Sequence, residues 1–185
     1  VEIWKERFFY FIVKWEFNFV DSMGKAAALS TDQIDVENGE RYNIEFVDSD
    51  GEKKYPIILH NSPSGAVERV IFALLEKSDR DATRGKVPAL PLWLSHTQVR
   101  IIPVASKHLE FGQKILSELD RNNIRADIDD RELSVAKKIR EAESEWIHFI
   151  IVIGDKEVEG GELVVRERLS KSQYDINLEN LIKNI

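Results

Sequence analysis

The 185-residue sequence contains no cysteine. Without thiols, the chain can build neither a disulfide framework nor a thiolate metal site from its own residues. It also lacks any apolar run near the roughly 18 residues that a membrane-spanning helix needs. Its start, VEIWKERFFYF, does not have the layout of a signal peptide. We therefore expect a protein of the cytoplasm that does not enter membranes.

Positive charge is also in short supply. Lys and Arg number 26 against 33 Asp and Glu, which gives a formal net charge of -7. Non-specific nucleic-acid binding rests mostly on neutralisation of phosphate charge. The negative net charge therefore argues against a protein that binds DNA or other nucleic acid through its overall charge. RNA recognition by a local patch of specific side chains stays open. The sequence starts with Val1 and enters a strand-like run at once, so we expect a piece of a longer protein.

Residues 1 to 59 have the patterning of strands. FFYFIVKWEFNFVD is rich in aromatic and β-branched residues, and STDQIDV follows a turn at Met23-Gly24. RYNIEFV and KKYPIILH alternate on either side of an Asp-Gly pair, which is a strong hairpin signal. A helix is expected from Val67 to about Lys77, because its apolar residues fall on one face. The next stretch, SDRDATRGKVPALPLW, has the composition of a linker.

After that stretch, strand and helix patterns alternate. TQVRIIPV, IRADID, IHFIIVIG and GELVVRERL predict strands, whereas KHLEFGQKILSELDRNN and LSVAKKIREAESEW predict helices. A last helix is expected over about 178–184. The fold class is therefore α/β, or α+β overall: an antiparallel sheet with a helix, followed by a compact α/β domain with a mixed sheet.

Several stretches resemble one known family, in the same order along the chain. They are VEIWKERFFYFIVKWEFNFVDSMGKAAALSTDQIDVEN, ILHNSPSGAVERVIFALLEK, PLWLSHTQVRIIPV and DIDDRELSVAKKIREAESEWIHFIIVIGDKEVEGGELVVRER. Together they resemble the C-terminal part of archaeal-type threonyl-tRNA synthetases. The resemblance implies that residues 1–86 end a class II catalytic domain, that 87–95 form a linker and that 96–185 form an anticodon-binding domain.

The stretch GAVER resembles the third signature motif of class II synthetases, in which a small-residue loop lets ATP approach the backbone. The resemblance implies that Gly65 lines the ATP site and that Arg69 acts in catalysis against the Mg-bound nucleotide. A guanidinium suits that role because it is planar, always charged, and can stack while donating to phosphate. The alternative is an arginine in the first helical turn that pairs with Glu68 or with solvent.

Two further positions of the resemblance concern threonine. Gln33 matches a residue of the threonine and adenylate pocket, and alternation puts Thr31, Gln33 and Asp35 on one strand face. We expect Gln33 to act in catalysis and, with Thr31, to contact ATP, although such a row also suits the solvent-exposed side of an antiparallel sheet. His60 matches one of the three protein ligands that hold a zinc ion in the family, and that zinc ion binds threonine. The other two, a cysteine and a histidine, lie upstream, so we expect an incomplete site and no zinc in this chain.

In the second half, the resemblance points to RNA recognition. Glu157 and Arg166 match positions that read the middle and third anticodon bases. A carboxylate accepts from the amino and imino groups of guanine, while an arginine donates to base-edge oxygens. A cross-strand surface ion pair is the alternative.

The densest basic cluster of the chain lies upstream of Glu157 and Arg166. It consists of Arg131, Lys137, Lys138 and Arg140, and we expect Arg131, Lys138 and Arg140 to contact the anticodon arm. The alternative is a solvated helix face balanced by Glu141, Glu143 and Glu145.

The resemblance implies that the whole protein is a homodimer that activates threonine with ATP and transfers it to tRNA(Thr). This chain lacks the first and second class II motifs, so we expect no aminoacylation from it alone. The alternative is the tRNA-binding C-terminal part of an editing or accessory paralogue with a vestigial catalytic half. The joint presence of Gln33, His60 and Arg69 favours the first hypothesis.

Overall fold

A computed structural model describes residues 3, 5–7 and 9–185. The chain divides into two compact units, Val1–Lys77 and Ser78–Ile185. The expected fold class is confirmed, since the first unit is built on an antiparallel sheet and the second is a mixed α/β unit. None of the helices in the described ranges is long and apolar enough to cross a membrane. The start of the expected first strand region includes residues 1, 2, 4 and 8, which lie outside the described residues.

The first unit consists mainly of strands. Its elements are β1 (Phe11–Val20), β2 (Ala26–Asp35), α1 (Asn38–Arg41), β3 (Phe46–Val47), β4 (Lys53–Lys54), β5 (Ile58–Ser62) and most of α2 (Val67–Thr83). β1, β2 and β5 form one antiparallel sheet in that order, and β3 and β4 form a separate hairpin. The hairpin turn expected at Asp50-Gly51 is present, with Gly51 at a φ of 80°, but each of its strands is only two residues long.

Helix α2 begins at Val67 as expected but continues past Lys77 to Thr83. The extra turns use SDRDAT, which was assigned to the linker because of its polarity. These residues contain neither Gly nor Pro, so nothing in the backbone stops the helix there. It ends just before Gly85, whose φ of 81° only glycine adopts without strain.

The second unit alternates strands and helices. Its elements are a 3-10 helix (Leu92–Leu94), β6 (Val99–Pro103), a 3-10 helix (Ser106–His108), α3 (Leu109–Arg121), β7 (Ala126–Ile128), α4 (Val135–Ser144), β8 (Phe149–Ile153), α5 (Asp155–Val158), β9 (Leu163–Glu167), β10 (Ser172–Ile176) and α6 (Leu178–Asn184). The sheet order is β10-β9-β8-β6-β7. β6 pairs in parallel with β7 and β8, whereas β9 is antiparallel to β8 and to β10.

The two faces of this sheet are covered differently. On one face Ile101, Ile151 and Val165 belong to the main core, which includes residues of α3 and α6. On the other face Ile102 and Ile150 pack with apolar residues of α4. This second cluster contains no residue of β9 or β10, so within the described part of the second unit no helix packs into an apolar core on that half of the face.

Residues 87–95 are held against the second unit by side chains, although their composition suggested a free linker. Arg168 Nε donates to the Pro88 carbonyl oxygen over 2.9 Å, and His148 Nε2 lies 2.9 Å from the Leu90 carbonyl oxygen. Burial lowers the pKa of His148, so the neutral ring can donate through Nε2. The segment is therefore an ordered part of this unit.

Candidate nucleotide and nucleic-acid sites

Three of the predicted site residues meet on one face of the first unit's sheet. Gln33 of β2 lies directly opposite His60 of β5, and Thr31 lies opposite Ser62. Residues opposite each other on antiparallel strands project to the same face, so Thr31, Gln33 and His60 form one polar surface. Tyr10 donates its hydroxyl to Gln33 Oε1 and thereby orients the carboxamide. The amide nitrogen of Gln33 is left for another acceptor.

Asp35, the third member of the alternating row on β2, has a structural role. It is buried, and its carboxylate accepts hydrogen bonds from the backbone N–H groups of Glu37 and Asn38 and from the Asn38 side chain. Burial opposes its ionisation, but these hydrogen bonds hold the pKa of Asp35 below its ordinary value. The polar surface therefore ends at Gln33.

Gly65 and Arg69 both lie against the backbone of β2. Gly65 has a φ of 63°, and a Cβ there would collide with the Leu29 carbonyl oxygen. Arg69 Nη1 donates to the Ala28 carbonyl oxygen over 2.6 Å. The side chain is thus anchored on the sheet by one hydrogen bond, while the exposed guanidinium keeps further N–H donors for a ligand.

His60 has no companion metal ligands among the residues that the structure describes. Among residues 3, 5–7 and 9–185, no group of three or more His, Asp or Glu side chains is arranged to hold a metal ion. One imidazole does not make a zinc site, which usually takes four ligands in a structural centre or three in a catalytic one. The residues present therefore do not fit zinc by themselves, and the zinc expectation remains a prediction about the longer protein.

Arg166 lies between two cavities on the sheet face of the second unit that α4 covers only in part, which we call the half-open face. We call the first the basic cavity: its volume is about 480 Å³, and its cationic lining residues are Arg140, Arg166, Arg168 and Lys171, against the carboxylates of Glu143 and Glu167. We call the second the apolar cavity: its volume is about 260 Å³, and it is lined by five aliphatic residues together with Gly154, Glu157, Arg166 and Gln173. Within the described ranges, the guanidinium of Arg166 has one weak hydrogen-bond partner, Glu143 Oε1 at 3.4 Å. It is therefore available to a stronger acceptor.

Glu157 lines the same cavity as Arg166. The residue is only 6% exposed, and its Oε2 accepts from the backbone N–H of Gly154 over 2.7 Å. This contact caps the first turn of α5. The carboxylate is consequently fixed in place, and sequence reasoning did not anticipate that it also serves the fold.

Helix α5 is fixed in turn by its neighbours. Asp155 pairs with Lys107 and with His108, whose Nε2 lies 2.9 Å from Asp155 Oδ1. The His108 Nδ1 accepts from the Ala105 N–H, so the ring proton lies on Nε2 and is donated to Asp155. The hydrogen bonds from Lys107 and His108 hold the pKa of Asp155 below its usual range. Glu157 is therefore carried on a rigid turn.

The basic cluster of the sequence does not stay together. Lys138 is only 4% exposed, and its Nζ donates to the Asp129 carbonyl oxygen over 2.9 Å. Arg131 forms a two-pronged pair with the Asp129 carboxylate and a further pair with Glu141. Of the four residues in this cluster, only Arg140 lines the basic cavity, which Arg166 also lines. The geometry favours structural roles for Lys138 and Arg131, and their predicted contact with RNA remains untested.

Comparison with known proteins finds similarity over the whole chain. Residues 98–185 match a family model described as an anticodon binding domain. The whole chain is 54% identical to the threonine–tRNA ligase of Nitrosopumilus maritimus and 56% identical to that of Pyrococcus horikoshii. Over its whole length the chain is homologous to the C-terminal part of threonyl-tRNA synthetases. It spans 30% of the length of each of these two relatives.

Solved structures agree with this assignment. The RNA binding domain of threonyl-tRNA synthetase from Cryptosporidium parvum superposes with a TM-score of 0.71 at 27% identity, over 92% of this chain and 42% of that chain. Prolyl-tRNA synthetase from the same organism, solved with L-proline and AMP, gives a TM-score of 0.76 over 97% of this chain and 37% of that chain. At 21% identity, this second likeness shows the fold alone.

Among the polar residues that line the cavities, sequence reasoning missed Arg168, Lys171 and Gln173. Alternation along VVRER already placed Arg168 on the face of Arg166. Lys171 and Gln173 depend on the turn after β9 and on the pairing of β10. SQYDI has no apolar run and does not indicate a strand, so no local pattern points to Lys171 or Gln173.

Proposed function

We propose that the whole protein is a threonyl-tRNA synthetase of the cytoplasm, in which residues 96–185 bind the anticodon arm of tRNA(Thr). One observation carries the proposal for this chain. Arg166 and Glu157 share a cavity on the half-open face of a domain that matches an anticodon-binding family. Activation of threonine with ATP and Mg²⁺, its transfer to tRNA and dimer formation belong to the longer protein. The domain boundaries proposed from the sequence remain 1–86, 87–95 and 96–185.

The chemistry of the two cavities supports recognition of unstacked bases. In single-stranded loops the base edges are exposed, and proteins read them by hydrogen bonds from side chains. Arg166 can exchange its weak contact with Glu143 for a base-edge oxygen, because guanidinium groups donate well to such acceptors. Glu157 offers a carboxylate that is already fixed by Gly154, so little ordering is needed when a base N–H approaches.

The basic cavity supports binding of the adjoining phosphates. Four cationic side chains face two carboxylates there, although the chain as a whole carries a net charge of -7. Such a local positive potential attracts a polyanion to one place on an acidic surface. Arg140, Arg168 and Lys171 therefore serve to hold the backbone of the loop, while Arg166 and Glu157 act on bases.

The first unit supplies part of the threonine and ATP site in this proposal. The carboxylate of threonine attacks the α-phosphate of ATP, and pyrophosphate leaves. Arg69 would lie against the nucleotide, with Gly65 allowing close approach of the loop, and Gln33 and Thr31 would line the pocket. Mg²⁺, when bound, neutralises charge on the phosphates. The polar surface of Thr31, Gln33 and His60 supports this assignment because it brings His60 of β5 beside two residues of a different motif on β2.

The first unit also has the surface of a domain that continues elsewhere. Among the described residues, the fully buried apolar side chains all belong to the second unit. By contrast, Trp15 and Phe17 of β1 are 63% and 61% exposed, and Leu59 of β5 is 75% exposed. Large exposed apolar side chains on both outer strands of one sheet indicate a missing partner surface. We assign that partner to the remainder of the catalytic domain, in keeping with the 30% coverage of the relatives.

The test is a binding measurement on the 185-residue chain. The probes are a stem-loop with the anticodon loop of tRNA(Thr) and the same stem-loop with the anticodon of another amino acid. We expect the matched stem-loop to bind at least about tenfold more tightly at equal salt, since each misread base typically costs on the order of 1–3 kcal/mol. Equal dissociation constants would overturn the proposal for this domain.

A further inference from the structure

Gln173 is the immediate neighbour of Arg166 across the sheet. The two residues lie directly opposite each other on β10 and β9, so their side chains project to the same face. Both residues also line the two cavities of this face. Of all the described residues that line the basic and the apolar cavity, Arg166 and Gln173 alone line both. Together they form the ridge between the two spaces.

The carboxamide of Gln173, whose side chain is exposed, forms no hydrogen bond with any described residue. The polar residues around it differ in this respect: Arg168 is bound to the Pro88 and Glu143 carbonyl oxygens, and Glu157 is bound to Gly154. Gln173 therefore combines a rigid strand position with a free donor and a free acceptor.

We propose that Gln173 is a specificity-determining residue that reads the edge of an anticodon-loop base together with Arg166. The inference rests on the proposed function of the domain and extends it to a residue that sequence patterns did not indicate. An arginine only donates hydrogen bonds, whereas a glutamine carboxamide donates and accepts in one plane. A base that satisfies both side chains must present a carbonyl oxygen beside a ring N–H.

This requirement divides the four bases into two classes. Guanine and uracil each present a carbonyl oxygen next to a ring N–H, which meets the donors of Arg166 and Gln173 and the acceptor of Gln173. Adenine and cytosine present an amino group next to a bare ring nitrogen. The amino group would face the guanidinium of Arg166, and both groups only donate hydrogen bonds. One polar group is then buried without a hydrogen-bond partner. The pair therefore selects guanine or uracil at one loop position.

The experiment combines protein variants with single-base changes in the RNA. The probe is the stem-loop carrying the anticodon loop of tRNA(Thr), together with versions in which each loop guanine is changed to adenine or each loop uracil to cytosine, one at a time. The protein is the 185-residue chain with Gln173→Met, which keeps the length of the side chain but removes the amide. Gln113→Met, at an exposed position of α3 that lines neither cavity, is the matched control.

We expect Gln173→Met to bind the parent stem-loop about tenfold more weakly, the usual effect of losing a base-edge contact. At one loop position, a base change that weakens the unmodified chain about tenfold should weaken the variant less than about threefold. Gln173→Glu should bind more weakly still, because its carboxylate pairs with Arg166 and repels the RNA. Gln113→Met should behave like the unmodified chain.

The outcomes separate this inference from the proposed function. If the unmodified chain does not discriminate between loops, the domain does not read an anticodon and both fail. If it discriminates and Arg166→Ala relaxes that preference, but Gln173→Met retains the affinity and base profile of the unmodified chain, only the role of Gln173 is overturned. A uniform loss across every probe also overturns it, since that result indicates a general effect without base reading.

Discussion

Gln33 and His60 face each other across neighbouring antiparallel strands, in the register that also pairs Thr31 with Ser62. The sequence placed the two residues in different motifs, one in STDQID and the other before SPSGAVER. Their meeting on one face means that the proposals for threonine, ATP and metal binding concern a single surface. Arg69 and Gly65 lie against the same strand β2, at Ala28 and Leu29.

The first prediction concerns Arg69 in the full-length protein. Arg69→Ala should slow threonine-dependent ATP–pyrophosphate exchange by roughly a hundredfold or more, the usual effect of losing a charged contact that strengthens in the transition state. Arg69→Lys should not restore the rate, because a flexible ammonium cannot stack on adenine and donate to two oxygens at once. Arg84→Ala, at an exposed position just after α2, is the control. Exchange at near the unmodified rate in both Arg69 variants would show that Arg69 is only a helix-surface charge.

The second prediction concerns the backbone at Gly65. Gly65→Ala should destabilise the first unit more than Gly24→Ala does, although both glycines have positive φ values of 63° and 79°. The two variants share the backbone strain, on the order of 1–2 kcal/mol for an alanine. Only at Gly65 does the new Cβ meet the Leu29 carbonyl oxygen, since nothing lies near Gly24. Thermal unfolding of the two variants measures the difference, and equal melting temperatures contradict the close approach of the loop to β2.

The third prediction is a pH dependence at Asp129. The hydrogen bonds from Arg131 hold the pKa of this carboxyl below its ordinary value. A depressed carboxyl pKa contributes stability that is fully present above the unfolded pKa of about 3.9 and is lost as the pH falls through the folded value. Asp129→Asn should therefore lower the free energy of unfolding at pH 7 by about 1–3 kcal/mol, as for a buried charged hydrogen bond. The deficit should shrink as the pH falls from about 5 toward 3.

Urea unfolding of both proteins across this pH range provides the measurement. Asp130→Asn is the matched control, since that neighbouring side chain is exposed. A deficit for Asp129→Asn that stays constant with pH would mean that the pair between Asp129 and Arg131 does not stabilise the fold through the charge of the carboxylate.

The fourth prediction concerns metal content. Elemental analysis of the purified 185-residue chain, without an affinity tag, should find no stoichiometric zinc, because His60 is the single ligand that the resemblance assigns to this chain. A tightly held zinc that disappears in His60→Ala would show that the ligand set has been misassigned. In that case the polar surface around Gln33 would have to supply the missing ligands.

The sequence predicted the order of elements in the second unit because its central strands carry their own signal. β8, FIIVI, is a continuous apolar run, and β6, VRIIP, is apolar except for Arg100; the sheet buries most of both strands. The edge strand β10, SQYDI, has a largely exposed pattern and carries no such signal. Its position depends on pairing with β9, which is a tertiary property, and Gln173 was missed for that reason.

The site residues show the same division between local and tertiary information. Alternation correctly grouped Thr31 with Gln33 on one strand face, because a strand has a period of two whatever its surroundings. The burial of Lys138 could not be read from a basic cluster, because it depends on a carbonyl acceptor at Asp129, nine residues earlier. Likewise, nothing in GDKEVE indicates that a carboxylate oxygen of Glu157 accepts a hydrogen bond from the Gly154 N–H.

The most direct test of the account is whether Arg166 reads a base. The unmodified chain, Arg166→Ala and the control Arg121→Ala, an exposed arginine of α3 paired with Glu118, are titrated with the matched and the anticodon-swapped stem-loop at one salt concentration. We expect Arg166→Ala to lose about 1–3 kcal/mol on the matched loop and much less on the swapped loop, whereas Arg121→Ala behaves like the unmodified chain. Equal losses on both loops would contradict base reading by Arg166 and leave it as a phosphate contact.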